Sequence, residues 1–238
     1  TSNYSLTTPT VTANITKKTL TISVLSPVNK PYGTALPNPE TVTSLTRFSY
    51  SGTIAGETVN SVTFKYTGSQ ASTFIQSSAS IGSYVNNVTV SIDYPITGTN
   101  FDINNYSPNF TGTSNVSVVA GAITITATGP IKQYGDAQLT TGSSTTNFTI
   151  TGNLAPGDAI SSVTLTPSGP GALANAAVGD SFYVTPSAAV ISGSLSNYTV
   201  TYVPFKDVVR KKSITITASP QTKTYGTALL TSGVLNST

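Results

Sequence analysis

The sequence predicts an all-β protein built as a tandem array of small antiparallel sandwiches, and three observations carry that prediction. Roughly a third of the 238 residues are Ser or Thr, only 8% are charged, and Val, Ile, Thr and Tyr fill the apolar runs. That composition favours strands over helices. Alternation is the second observation: in Ile123-Thr-Ile-Thr-Ala127, Ile123, Ile125 and Ala127 share one face while Thr124 and Thr126 share the other, as in a half-buried strand. The third is recurrence. The pattern returns as Leu20-Thr-Ile-Ser-Val24 and Ile214-Thr-Ile-Thr-Ala218, each followed by a Tyr-Gly pair, and Tyr32, Tyr134 and Tyr225 stand 102 and 91 residues apart. That period is one small β domain, too long for a solenoid repeat. Six or seven short strands per period, punctuated by Gly and Pro, predict immunoglobulin-like sandwiches. A β-grasp-like module is the alternative; it needs a helix in each repeat, for which residues 172–178 are the one faint candidate.

In chain order, residues 1–18 read as the end of a preceding repeat. Ser2-Asn-Tyr4 recurs as Asn104-Asn-Tyr106 and Ser196-Asn-Tyr198, shortly before the next opening strand, at spacings of 102 and 92. A first full repeat is expected over residues 19–121, with strands at 20–24, 47–51, 61–66, 87–93 and 116–120. A second is expected over 122–212, with strands at 123–127, 148–151, 160–166, 181–185 and 198–203. Gly56-Glu57 and Gly157-Asp158 correspond at 101 residues, and Ser61-Val-Thr-Phe64 corresponds to Ser162-Val-Thr-Leu165. The extra length of the first repeat is expected mainly between Gly82 and Pro95, opposite Gly179 and Pro186, where a loop lengthens cheaply. Residues 213–238 read as the start of a third, incomplete repeat, too short to bury a core. Each Tyr-Gly pair follows a basic residue, Lys30, Lys132 or Lys223, and its glycine can take the positive φ of a sharp reversal. The pair is therefore read as a structural turn with a packing tyrosine.

The chain has 0 Cys, 0 His, 0 Met and 0 Trp, which excludes disulfides, thiolate sites and imidazole ligands. Any nucleophile would depend on 2 Glu, 6 Asp or the lysines as base, and none clusters with a serine in a recognisable motif. Glu57 and Asp158 could act as paired carboxylates only by meeting across a cleft between repeats. No catalytic, cofactor-binding or metal residue is assigned, and the chain reads as non-enzymatic. Asn100-Phe-Asp102-Ile-Asn104 spaces oxygen side chains as a calcium loop does. Its counterpart Gly193-Ser-Leu-Ser-Asn197 has no acid, so an Asx-rich turn is expected instead. Lys65 and Lys206, on expected strands, are candidates for an intramolecular bond to Asn or Asp. The net charge of +3 comes from 11 basic and 8 acidic residues scattered along the chain, a field too weak to suggest nucleic acid. Arg210-Lys211-Lys212, echoed by Lys17-Lys18, reads as a solvated junction. No apolar run is long enough for a membrane-spanning helix.

The order Ile-Thr-Ile-Thr-Ala, Lys-x-Tyr-Gly, Gly-Asp and then Ser196-Asn-Tyr-Thr-Val-Thr-Tyr202 resembles the bacterial surface repeat known as the MBG domain of the Tyr-Gly-X type. The resemblance covers essentially the whole chain and is clearest over residues 122–226. It is looser in the first repeat, where Pro31 precedes Tyr32 and Tyr106-Ser-Pro-Asn109 replaces the regular closing strand. It implies a secreted protein of the bacterial cell surface, in the tandem regions of large adhesins, including gliding adhesins of Bacteroidetes. The expected function is a structural stalk that projects an adhesive region from the cell. The partners expected are neighbouring repeats of the same chain, then surface glycans or the secretion and cell-surface machinery, with no nucleic acid and no membrane insertion. Two alternatives accompany it. Exposed Tyr, Thr and Asn could bind glycans, with Tyr66 and Tyr84 as the side chains to remove. Or the chain could be a filament subunit, residues 213–238 of one copy being completed by residues 1–18 of the next through strand addition.

Overall fold

The computed structural model describes residues 3–112, 115–218, 220 and 222–227. An N-terminal unit contains β1 (Lys18–Val24), β2 (Val28–Pro31), β3 (Glu40–Val42), β4 (Phe48–Ser51), β5 (Thr58–Thr67), β6 (Gly82–Ser83), β7 (Thr89–Thr99), β8 (Tyr106–Thr111) and β9 (Val116–Val119). One short helix, α1 (Ala71–Phe74), lies between β5 and β6. Ala120 alone separates β9 from the C-terminal unit, which holds β10 (Gly121–Ala127), β11 (Gly142–Ser144), β12 (Phe148–Gly152), β13 (Ile160–Ser168), β14 (Ser181–Ile191), β15 (Tyr198–Val203) and β16 (Phe205–Val208).

The alternating stretches become the central strands, as their pattern requires. β1 buries Leu20, Ile22 and Val24, and β10 buries Ile123, Ile125 and Ala127, with the intervening Thr and Ser half-covered. In the N-terminal unit β1 lies between antiparallel β4 and parallel β8; in the C-terminal unit β10 lies between antiparallel β12 and parallel β15. Each unit adds a second sheet, β3-β5-β7 or β11-β13-β14-β16, and the N-terminal unit adds a third, β2-β9-β6. Irregularities in the β5–β7 ladder around Ser61 recur around Ser162 in the β13–β14 ladder. Leu20 and Ile22 of one sheet share a core with Val62, Phe64, Val90 and Ile92 of the other. Ile125 likewise meets Val163, Leu165, Phe182 and Val184.

The chain is all-β, as expected, and among the described residues no helix exceeds the four residues of α1. The faint helix candidate, residues 172–178, is not a helix: Ala172 ends a short 3₁₀ turn, Pro170–Ala172, and residues 173–178 form bends and turns. The ladders are not all antiparallel, because β8 and β15 return to the opening strand after crossing from the other sheet and so run alongside it. Tyr106-Ser-Pro-Asn109, which reads as an irregular segment, is the start of β8. The additional residues of the N-terminal unit lie between β5 and β7, in the connection that carries α1 and β6, rather than as far as Pro95. The register explains the difference: Phe64 pairs with Ile92 and its counterpart Leu165 pairs with Pro186, so Pro186 corresponds to Ile92 and not to Pro95. Residues 3–17 and 211–218 carry no strand and are exposed, Ile214 at 82% and Ile216 at 72%. β1 and β10 are each held between two strands, whereas no described strand pairs with residues 214–218. Of the expected third repeat, residues 219, 221 and 228–238 lie outside the described residues.

Candidate functional site at the junction of the two units

The Tyr-Gly turn after β2 is shaped locally and pinned from beneath. β2 pairs in parallel with β9, and the ladder closes with Tyr32 N–H donating to the Val119 carbonyl at 2.8 Å. Gly33 then takes φ +85°, a left-handed conformation that favours glycine. Lys30, only 1% exposed, turns its ammonium under the reversal and donates to the carbonyls of Thr34 (2.8 Å) and Gln76 (2.7 Å). Burial lowers its pKa from 10.5 to about 8. Lys132 does the same beneath the second turn, donating to the carbonyls of Asp136 (3.0 Å) and Ala137 (3.2 Å). The lysine of Lys-x-Tyr-Gly is therefore a clamp on the turn, a buried charge satisfied by backbone acceptors.

The first turn is seated on the C-terminal unit. Tyr32 donates to Asp158 Oδ2 at 3.3 Å, and Tyr198 donates to the same oxygen at 2.7 Å. The two tyrosine rings meet edge to face, 5.3 Å between centroids and 80° between planes, a favoured aromatic geometry. Ala155 N–H donates to the Tyr198 hydroxyl at 2.9 Å, which fixes the loop that forms the floor. Asn153 Nδ2 reaches Thr34 Oγ1 at 3.4 Å. Backbone contact is close: a Cβ on Gly33 would overlap the Asn153 carbonyl oxygen and stand 3.1 Å from its carbon. A Cβ on Gly121 would similarly overlap the Tyr32 carbonyl oxygen. Loss of water raises the Tyr32 and Tyr198 pKa values, Tyr198 to about 12, and the Asp158 carboxylate adds to both shifts. At pH 7 both hydroxyls are neutral donors to a carboxylate.

The same parts occur a second time in each unit. In the N-terminal unit Ile54 N–H donates to the Tyr106 hydroxyl at 3.1 Å, and Tyr106 donates to Glu57. Ile54, Glu57 and Tyr106 thus reproduce Ala155, Asp158 and Tyr198, yet Ile54 is 54% exposed where Ala155 is 3%. In the C-terminal unit, Tyr134 is 58% exposed and nothing approaches a Cβ on Gly135 within 4 Å.

The other sequence candidates are dispersed. Glu57 and Asp158 do not face each other; each accepts from a tyrosine of its own unit. Asp102 accepts from Asn104 N (2.9 Å) and Nδ2 (3.0 Å) as the cap of a 3₁₀ turn. Among the described residues, no three acidic side chains gather as a metal site. Lys65 makes an exposed ion pair with Asp93 at 3.7 Å, and Lys206 lies over the Tyr183 ring at 5.5 Å. The lysines that are buried are Lys30 and Lys132. Arg210 and Lys212 stay on the surface, paired with Asp207 and Asp136. Tyr66 and Tyr84 are 2% and 7% exposed, so they belong to the core and not to a glycan-binding face. Tyr66 donates to Glu40, which also holds Arg47 through bonds of 2.6 and 3.0 Å. Gly142, Asn147 and Pro167 take the corresponding places in the C-terminal unit. A cavity of about 280 Å³ opens there, lined by Thr128, Asn147, Leu165, Pro167 and Val184. Its lining carries no charged or nucleophile–base pair.

No family model matches the chain, and no curated protein or solved structure shows significant similarity to it.

The junction was half legible in the sequence. Both markers that build it, Tyr-Gly and Ser-Asn-Tyr, stand out by recurrence. That Tyr32 of one period meets Tyr198 of the next has no local signal, because 166 residues separate them.

Proposed function

We propose that this chain is a non-enzymatic structural stalk segment of a large secreted bacterial adhesin, projecting an adhesive region from the cell surface. The observation that carries this reading is the junction. A one-residue linker at Ala120 and a seated Tyr32-Gly33-Thr34 turn hold successive units by specific contact, which suits a spacer whose reach depends on stiffness. The MBG resemblance supports the surface setting and participation in gliding motility. Solution scattering tests the reading: the whole chain is expected to behave as an extended particle of fixed length, with a compact globule as the refuting result.

A second reading, a filament joined by strand exchange, is favoured by the exposure of residues 3–17 and 211–218, including Ile15, Ile214 and Ile216. Strand addition would cover these segments. It requires oligomers in which residues 214–218 become protected from hydrogen exchange.

A further inference from the structure

The two Tyr-Gly turns described above are built alike and treated differently. Gly33 and Gly135 have φ of +85° and +81°. Tyr32 N–H donates to Val119 at 2.8 Å and Tyr134 N–H to Arg210 at 2.9 Å. Each turn is clamped by its own buried lysine. Tyr32 is nevertheless covered by the neighbouring unit, whereas the Tyr134 ring stands 58% exposed. In the N-terminal unit, Ile54, Glu57 and Tyr106 form the counterpart of the seat that receives Tyr32. We propose that Tyr134-Gly135-Asp136 is a docking knob for the Ile54, Glu57 and Tyr106 seat of a second copy of this chain, repeating head to tail the contact that joins the two units.

The observed junction supplies the occupant and its chemistry. Asp158 accepts two tyrosine hydroxyls, one from each side. Glu57 already accepts from Tyr106, and a carboxylate has lone pairs for a second hydroxyl. The exposed side chain of Ile54 would be covered as Ala155 is, removing an apolar surface from water. One residue departs from the template. Phe101 stacks on Tyr106 at 5.3 Å and 21°, and its counterpart in the second unit is Gly193, beside Asp158. Phe101 is half-exposed and precedes the turn at Ile103–Asn105. It competes with the incoming ring and makes the outer seat weaker than the inner one.

This inference rests on reading the junction as a repeating contact, and the test separates the two. The chain has no cysteine, so introduced pairs report proximity directly. Thr34 and Asn153 touch in the junction; the corresponding positions across docked copies are Asp136 and Thr53. The full chain carrying Asp136→Cys and Thr53→Cys is expected to form a ladder of disulfide-linked oligomers under mild oxidation, while either single variant stops at the dimer. Adding Tyr134→Ala is expected to cut the ladder about tenfold, as removal of an aromatic anchor does; Phe101→Gly is expected to increase it. Circular dichroism checks that each variant keeps its sheets, and Thr34→Cys with Asn153→Cys is the internal comparison, expected to give a closed monomer. A closed monomer without a ladder overturns the docking and leaves the junction standing. Failure of both overturns both, and a ladder indifferent to Tyr134→Ala overturns the docking alone.

Discussion

Gly33→Ala and Gly135→Ala form a matched pair that isolates the junction from the turn. Both glycines have φ above +80°, so either alanine adds about 1–2 kcal/mol of left-handed strain. Only at Gly33 does the new methyl group meet another backbone, that of Asn153 and Ala155, with carbon at 3.1 Å and nitrogen at 3.4 Å. Backbone cannot rotate aside as a side chain can, so the turn must withdraw by about 1 Å to restore ordinary contact. Withdrawal breaks the edge-to-face pair of Tyr32 and Tyr198, worth about 0.5–1.5 kcal/mol, and the 3.3 Å bond to Asp158, worth about 1 kcal/mol. A loss of about 2 kcal/mol shifts the docked-to-undocked ratio by roughly thirtyfold. ¹⁵N relaxation reads this: the wild type and Gly135→Ala are expected to tumble as one body, Gly33→Ala as two bodies with shorter correlation times. Equal behaviour of the two variants would refute the reasoning, since strain alone would then account for both.

The remaining predictions concern single groups. Between pH 8 and 10.5 the folded chain holds fewer protons on Lys30 than the unfolded chain does, so stability rises with pH across that window; Lys30→Met is expected to flatten the rise, by about 1 kcal/mol after screening, in urea midpoints taken from about pH 8 to 9.5. Tyr198 acts in the opposite sense, its raised pKa lending stability that is lost as pH climbs from 10 through about 12. In Asp158→Asn the Tyr198 ionisation, isolated by difference against Tyr198→Phe at 295 nm, is expected to move part of the way toward 10, because burial remains after the carboxylate is gone. Arg47→Ala leaves Glu40, 9% exposed, with Tyr66 as its remaining side-chain donor. The expected cost is about 2 kcal/mol, between exposed and buried pairs, confined to the amide protection of the N-terminal unit.

Sequence pattern revealed most where the signal was local. Alternation placed β1 and β10, and Gly33, Gly135 and Gly226 adopt the positive φ that a tight reversal demands. It revealed least where a side chain finds its partner far along the chain. Lys30 looks like a surface base until Gln76, 46 residues away, supplies a carbonyl. Tyr66 and Tyr84 look like polar-faced surface tyrosines because their alternation is ambiguous, yet both flank Phe74 in the core at ring distances of 5.6 and 5.3 Å. β9 falls within the strand expected at 116–120, whereas the four residues of β2 are defined only by pairing with it. The Glu57 and Asp158 correspondence was visible, but its meaning as a tyrosine acceptor depended on β8 and β15 arriving beside them.

The parallel ladders give each unit a mechanical property. β1 begins at Lys18 opposite Tyr106, and β8 runs in the same direction to Thr111. Tension that draws Lys18 backward and Thr111 forward slides the two strands past each other, loading all their hydrogen bonds together instead of unzipping them singly. β10 and β15 repeat that geometry from Gly121 to Val203. A pull along β1 and β8, or along β10 and β15, therefore loads that ladder in shear, whereas a pull across the sheet peels it bond by bond.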